Sequence, residues 1–432
     1  MSSPYPSTPD TTARPSVPID ARRARLAVTI IFWINGASMS AIMPRYPEIV
    51  AALGLDKTMF GLAVGIGPIG GLIAGIAAAR LMRRFGSGPL SVFTQILASA
   101  SILLIVLAPA WWMLTASFFI ASACDAVTDI AMNAHGMRVQ RRYGRSVINS
   151  FHGWWSVGAV CGGLIGAGLA QVGIPLSIQA GCSLVVFAAI ALWARTMILP
   201  GADNTERTAN SPVPDTAAEL SDPNKPTSTS RGLRRIIPTL SLHTLGVFIV
   251  LGTTAVFAGA TEDAGNTWGA LYMQGQFQAA PLVAGLAFVA LQGAQTVGRL
   301  TGDALVDRIG DRGMARIGAV VSAGGMSLAL LVPSVPTTII GFACAGWGVA
   351  TLFPAVFHAA DERSDLAPGV GITFVGWVTR VGFLVSPPLV GAIADRLTLR
   401  YALWLVPIYA VGVFMTSGVL APRQQRKVPV GS

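Results

Sequence analysis

The chain has 432 residues, of which 53% are hydrophobic and only 12% charged, about half the charged share of a soluble protein. Its net charge of +10 does not mark a nucleic-acid binder, because the cations sit in short segments between apolar runs, where they act as a topology signal. Composition therefore excludes a soluble domain and leaves a polytopic membrane protein, with 48 glycines at a level that transmembrane helices tolerate.

In chain order, residues 1–25 open with a Ser/Thr/Pro-rich stretch that has no apolar core, which predicts a disordered tail without a cleaved signal peptide. Six apolar runs follow at roughly 26–44, 59–79, 90–108, 111–133, 147–170 and 175–199, each long enough to cross ~30 Å of hydrocarbon. They define an N-terminal bundle over 26–199. Residues 200–235 lack apolar periodicity and predict a linker. Six more spans are expected at roughly 237–260, 279–303, 314–332, 336–358, 367–393 and 401–420, a C-terminal bundle over 236–420 that leaves 421–432 as a second tail. The fold class is all-α, with twelve transmembrane helices in two six-helix bundles.

Basic residues set the orientation. With both termini cytoplasmic, the inner segments collect Arg22, Arg23, Arg25, Arg80, Arg83, Arg84, Arg138, Arg141, Arg142, Arg145, Arg308, Arg312, Arg316, Arg423, Arg426 and Lys427, while only Arg45, Lys57, Arg396 and Arg400 fall outside. The opposite topology would reverse this bias. The halves also repeat. "FHGW" at 151–154 matches "FVGW" at 374–377, and "ARLMRRFG" at 79–86 matches "DALVDRIG" at 303–310, so the two pairs keep a nearly constant offset along the chain. Such duplication is typical of secondary transporters, whose substrate sites lie between the repeats near the midplane.

These features resemble the major facilitator superfamily over essentially the whole chain after residue 25. Its loop signature, G-x-L-x-D-R-x-G, fits the second copy at Leu305, Asp307, Arg308 and Gly310, with Asp303 in the first glycine position. In the first copy Ala79 replaces that glycine and Arg83 the aspartate. The resemblance implies that Asp307, Arg308 and Gly310 are structural and gating residues, the aspartate docking on a helix N-terminus that favours negative charge. "DIAMN" at 129–133 resembles the E-x-x-x-N of span 4 in fucose-permease-like sugar/proton symporters, which implies that Asp129 carries the coupling proton. That branch also expects a carboxylate in span 1; here the polar residues of the span are Asn35 and Ser40.

Asp125, Asp129 and Asn133 share one face of span 4 at i, i+4, i+8. Asp125 lies about midway along the chain between Trp111 and Arg138, which puts it near mid-membrane on a helix rising ~1.5 Å per residue. Such charges face a bundle interior or aqueous cavity and mark proton pathways, so Asp125 and Asp129 are the proton-coupling candidates. Arg380, equally far along the chain from Asp365 and Asp395, is central in span 11 and shares a stripe with Thr373 and Trp377. A guanidinium there suits an anionic or hydroxyl-rich substrate. Span 8 offers Gln292 and Gln295 as cavity donors and acceptors, and Arg299 with Asp303 at i+4 as a structural or gating pair. Asn35, Asn133, Trp347 and His152 complete the substrate-binding candidates. The glycines at 158, 162 and 166 form a small-xxx-small ladder and read as packing. "GIGPIG" at 65–70 matches a dinucleotide fingerprint but lies within a span rather than after a strand. Two facing aspartates in a protease context and a serine elbow are both missing, so no enzyme is expected. Nor is any cofactor or metal. The expected activity is proton-coupled transport of a small polar solute, sugar-like or an organic anion, by a monomer in a bacterial inner membrane, with a proton and the lipid bilayer as its other partners. Proton-coupled drug or metabolite efflux is the alternative.

Overall fold

A computed structural model describes residues 17–201, 203, 242–362 and 370–420. The described residues form helices with connecting turns, and eleven of the helices are long and apolar enough to cross a membrane. One of these, Pro281–Leu331, has 51 residues and would extend ~76 Å if straight, more than twice the hydrocarbon thickness. It divides at Gly310, whose φ of 76° and ψ of 163° lie outside the helical region. The two pieces are spans 8 and 9, and the count of spans becomes twelve. The corresponding glycine of the first half, Gly86, has φ 79° and ψ 151° and separates span 2 (Lys57–Phe85) from span 3 (Ser87–Leu107). The last glycine of each loop motif thus makes the same left-handed break, a conformation open to glycine at little cost.

Span 1 begins at Ile19, breaks after Ser40 at a short 3₁₀ turn, and resumes as Tyr46–Leu53. The tail expected to reach residue 25 therefore stops short of Ile19, because Arg22, Arg23 and Arg25 ride on a helix that continues the apolar span. Spans 4, 5 and 6 are Trp111–Tyr143, Ile148–Gln171 and Leu176–Arg195. A larger correction concerns span 7. The chain from 261 to 278 reads as a loop, yet Leu242–Phe277 is one helix, because the polar stretch "TEDAGN" turns inward, to neighbouring helices and an internal cavity, and not to lipid. Span 10 is Val335–Val349 continued by Leu352–Asp361, span 11 is Val370–Arg396, and span 12 runs from Leu399 to Val419. Apart from Pro200, Gly201 and Asp203 the linker lies outside the described residues, as does the C-terminal tail.

Two ends of the molecule differ. At the face away from the start of span 1, here the far face, a single apolar core joins both bundles: Tyr46, Phe60 and Phe118 from the first pack with Trp268, Leu291 and Phe342 from the second. The Phe60 and Trp268 rings meet edge-on at 5.8 Å. At the opposite, terminal face the bundles keep separate cores, one around Phe32 and Phe151, the other around Phe248 and Val356. The molecule is sealed at one end and parted at the other.

The seal is built twice. Backbone N–H groups of Lys57 and Thr58 donate to the Asp395 carboxylate at 3.0 and 2.7 Å, and the Thr58 hydroxyl adds a third bond at 2.6 Å. On the other flank the N–H of Leu282 donates to Gln171 Oε1 at 3.3 Å. Adding 224 to Thr58 and Gln171 gives Leu282 and Asp395, so the two fastenings are equivalent positions of the duplicated unit. Glycines let the helices close beside them: Gly61 and Gly65 lie against the backbone of Pro387 and Leu384, and Gly285 lies against Ala167. At the terminal face the degenerate first motif has no aspartate for a helix N-terminus, and Asp203 from the start of the linker takes that place. It accepts from Ser87 N–H at 2.9 Å and Ser87 Oγ at 2.7 Å, satisfying donors that a helix start leaves free.

Candidate functional site

Above the seal, between the bundles, lies a cavity of about 340 Å³, a volume suited to a small molecule. Its floor includes Tyr46 and Phe118, and its polar lining comes from both halves: Asn35, Gln95, Asp125 and Trp155 from the first, Glu262, Asp263, Asn266 and Gln292 from the second.

The first-half wall is a network centred on span 1. Asn35 Nδ2 donates to Asp125 Oδ1 at 2.8 Å and to Gln95 Oε1 at 3.1 Å, while its carbonyl oxygen accepts from Trp155 Nε1 at 2.8 Å. Gln95, buried at 1% exposure, passes the chain on to Ser38 at 3.2 Å and Ser99 at 3.4 Å. Span 1 can approach because the glycine ladder lets it: a methyl on Gly158, Gly162 or Gly166 would strike the carbonyl oxygens of Trp33, Ala37 and Ala41, and one on Gly36 that of Trp155.

Asp125 and Asp129 part company. Asp125 lines the cavity, whereas Asp129 sits one turn nearer the terminal face and does not. Asn133 Nδ2 bonds Asp129 Oδ1 at 2.9 Å, and Asn133 Oδ1 lies 3.1 Å from His152 Nε2. The predicted residues Asp129, Asn133 and His152 are thus joined to each other, outside the cavity.

The second-half wall holds what the sequence reading missed. Glu262 and Asp263, in the middle of span 7, line the cavity. Gln295 Nε2 donates to Glu262 Oε2 at 2.9 Å, Gln292 Nε2 to Asn266 Oδ1 at 3.0 Å, and Thr267 Oγ1 to Asp263 Oδ1 at 2.6 Å. Gln292 reaches the cavity, while Gln295 stands behind the lining as the support of Glu262. The signal was present: two adjacent acids within a turn of a long apolar run are costly in a membrane unless they face protein or water.

Other expected site residues lie elsewhere. Trp347 packs against Gly298 of span 8 and is not among the lining residues. Trp377 and Arg380 are exposed and also outside the lining. They share a helical face with Leu384 and Pro388, which press on span 2 at the far end, so nearer the terminal face that side looks into the parted cleft. Arg299 is exposed on span 8 within electrostatic reach of His152. No Arg299–Asp303 ion pair forms among the described residues. Both side chains are exposed, and Arg299 acts on His152 of span 5 in place of its i+4 neighbour. Asp307 and Arg308 are exposed too, without a hydrogen bond or ion pair to the described residues. His135 is buried at 1% exposure beside Ser87, at 3.2 Å.

Two bundles, a duplicated seal and a midplane cavity are the frame of one transporter group, and the family model described as Major Facilitator Superfamily matches residues 28–264 and 251–431. The chain belongs to the major facilitator superfamily. Membrane protein MosC of Rhizobium meliloti is 28% identical to this member over 394 residues, covering 90% of this chain and 88% of that protein. A bacterial homolog of the human lysosomal transporter Spinster, in an inward-facing and unoccupied conformation, aligns with a TM-score of 0.71 at 14% identity over 94% of this chain and 98% of that one. A D-xylose–proton symporter aligns at 0.67 and 14% identity, over 92% and 96%. At those identities the two structures speak for the fold alone. As a superfamily member the protein is a secondary transporter of small solutes.

Proposed function

We propose that the transporter is proton-coupled and binds a small polar solute in the cavity between the bundles, working by alternating access as a monomer in a bacterial inner membrane with its terminal face cytoplasmic. The observation that carries this reading is the position of Asp125, a carboxylate deep in the chain that opens on the solute cavity and is held there by Asn35. Asp129, which the fucose-permease resemblance names as the proton carrier, stands between that cavity and the parted face, on the path a proton would leave by. A proton on Asp125 and a solute beside it would occupy adjoining volumes, so the same geometry also favours exchange of one for the other, the antiport reading.

The test uses the purified protein in liposomes that hold a pH-sensitive dye, challenged with a panel of sugars, polyols, organic acids and amines. A transported solute should move protons through the wild type. In Asp129→Asn, which mimics the protonated acid, that solute should still exchange with its own labelled form while the dye signal is lost. An undiminished dye signal in Asp129→Asn would remove this residue from coupling. The sign of the signal separates cotransport from exchange.

A further inference from the structure

The charge in the cavity is all of one sign. Asp125 on span 4 faces inward from one bundle, and Glu262 and Asp263 on span 7 face inward from the other. No lysine, arginine or histidine is among the lining residues. Arg380, the cation predicted to bind substrate, and Arg299, predicted to gate, are both outside the lining. A substrate carboxylate placed here would meet three acids in a medium where charges interact more strongly than in water.

Unfilled hydrogen-bonding capacity leans the same way. Asp263 Oδ2 and Gln295 Oε1 are buried and have no partner, and Gln295 is only 1% exposed. Both atoms accept and neither donates. Gln295 holds Glu262 through its other amide atom, so an unfilled acceptor stands directly behind that acid. The Ser386 hydroxyl of span 11 stands beside Asp263 and faces it as a donor, beyond ordinary bonding distance. A buried acceptor that goes unfilled costs about 1–3 kcal/mol, and Asp263, the one of the two that lines the cavity, favours a guest that brings it a donor; the unfilled donors Trp268 Nε1 and the Tyr272 hydroxyl stand outside the lining.

From this wall of acids and open acceptors we infer that the solute carries an ammonium group, seated between Asp125 and the Glu262/Asp263 pair, with its remaining polar groups on the cavity carboxamides. This rests on the transporter reading above and narrows its substrate. It replaces the organic anion expected from Arg380. The geometry also ties binding to motion. When ionised, the acids on opposite bundles repel across an empty cavity, and a cation between them turns that repulsion into attraction, which draws the bundles together. A ligand shifts a conformational equilibrium only by such differential interaction.

The test separates the charge of the site from transport itself. In a chain whose four cysteines are replaced by alanine, Ser122→Cys places a thiol on the cavity wall. A trimethylammonium-ethyl and a sulfonatoethyl methanethiosulfonate are the probes, each rate normalised to a free thiol, with a neutral methyl reagent as the control for folding and access. The cationic reagent should win by about tenfold or more, as one-signed clefts focus counter-ions, and Glu262→Gln with Asp263→Asn should bring the ratio towards parity. Parity or anion preference in the parent would overturn the proposal, whether or not the protein transports. Alongside, thermal unfolding of the full chain is followed with matched ammonium, hydroxyl and carboxylate compounds of one carbon skeleton. Stabilisation confined to the ammonium members is expected. Equal stabilisation by hydroxyl or carboxylate members would also overturn it. Where none of the set stabilises, the thiol ratio decides.

Discussion

Asn35 uses both amide hydrogens and its carbonyl oxygen, one on each of three neighbouring helices. Its replacement by alanine would leave Asp125 and Gln95 each short of a donor and Trp155 without its acceptor. At about 1–3 kcal/mol for each buried group left bare, Asn35→Ala should lower the unfolding free energy of the purified protein by roughly 2 kcal/mol or more. A denaturation midpoint equal to wild type would show that water replaces the side chain without loss. Asn35 and the two aspartates of span 4 were legible because polar groups stand out in apolar runs. Glu262 and Asp263 were not, since they are followed by Gly265 and Asn266, and that composition is also what a turn requires. Arg380 drew notice for its central depth, but depth along a helix does not say which way the helix is turned.

Span 5 shows what an element owes to small residues. Its glycine ladder brings backbone against backbone, so added volume has nowhere to go. Gly162→Leu should cost about 1–3 kcal/mol, the usual range for overpacking, and reduce the yield of monodisperse protein. Gly168→Leu, at a position with no neighbour near an added carbon, should leave both unchanged and serves as its control. Comparable losses from the two would mean that span 5 dislikes leucine for reasons other than contact with span 1. The ladder was readable from spacing alone, because glycine every fourth residue makes one face of a helix flat. Helix ends were less readable. Arginines extend span 1 backwards to Ile19, and the end of span 7 lies well beyond the last uninterrupted apolar residue, since burial against other helices can shelter polar side chains that hydropathy assigns to water.

For the whole molecule, the arginine bias predicts a cytoplasmic terminal face, and the orientation proposed above can be tested directly. In intact cells and a cysteine-free background, Thr196→Cys at that face should resist an impermeant thiol reagent until the membrane is opened, while Leu397→Cys, 61% exposed at the far face, should react at once. The reverse pattern would invert the topology. Gly265, which the sequence places in an outer loop, cannot report, because it is packed against Leu291 and Phe342. The twelve-span, two-bundle plan was legible because hydrocarbon thickness imposes a length on every crossing, and the duplication because two motifs keep one offset. What the offset could not reveal is that the two copies of the seal are unequal. Asp395 holds its helix start through three short bonds to an ionised group, and such bonds are about twice as strong as neutral ones; Gln171 holds the equivalent start through one long neutral bond. The protein resembles a book bound along one edge. On that difference its pages should part first at the Gln171 margin, with the Asp395 flank as the spine on which they turn.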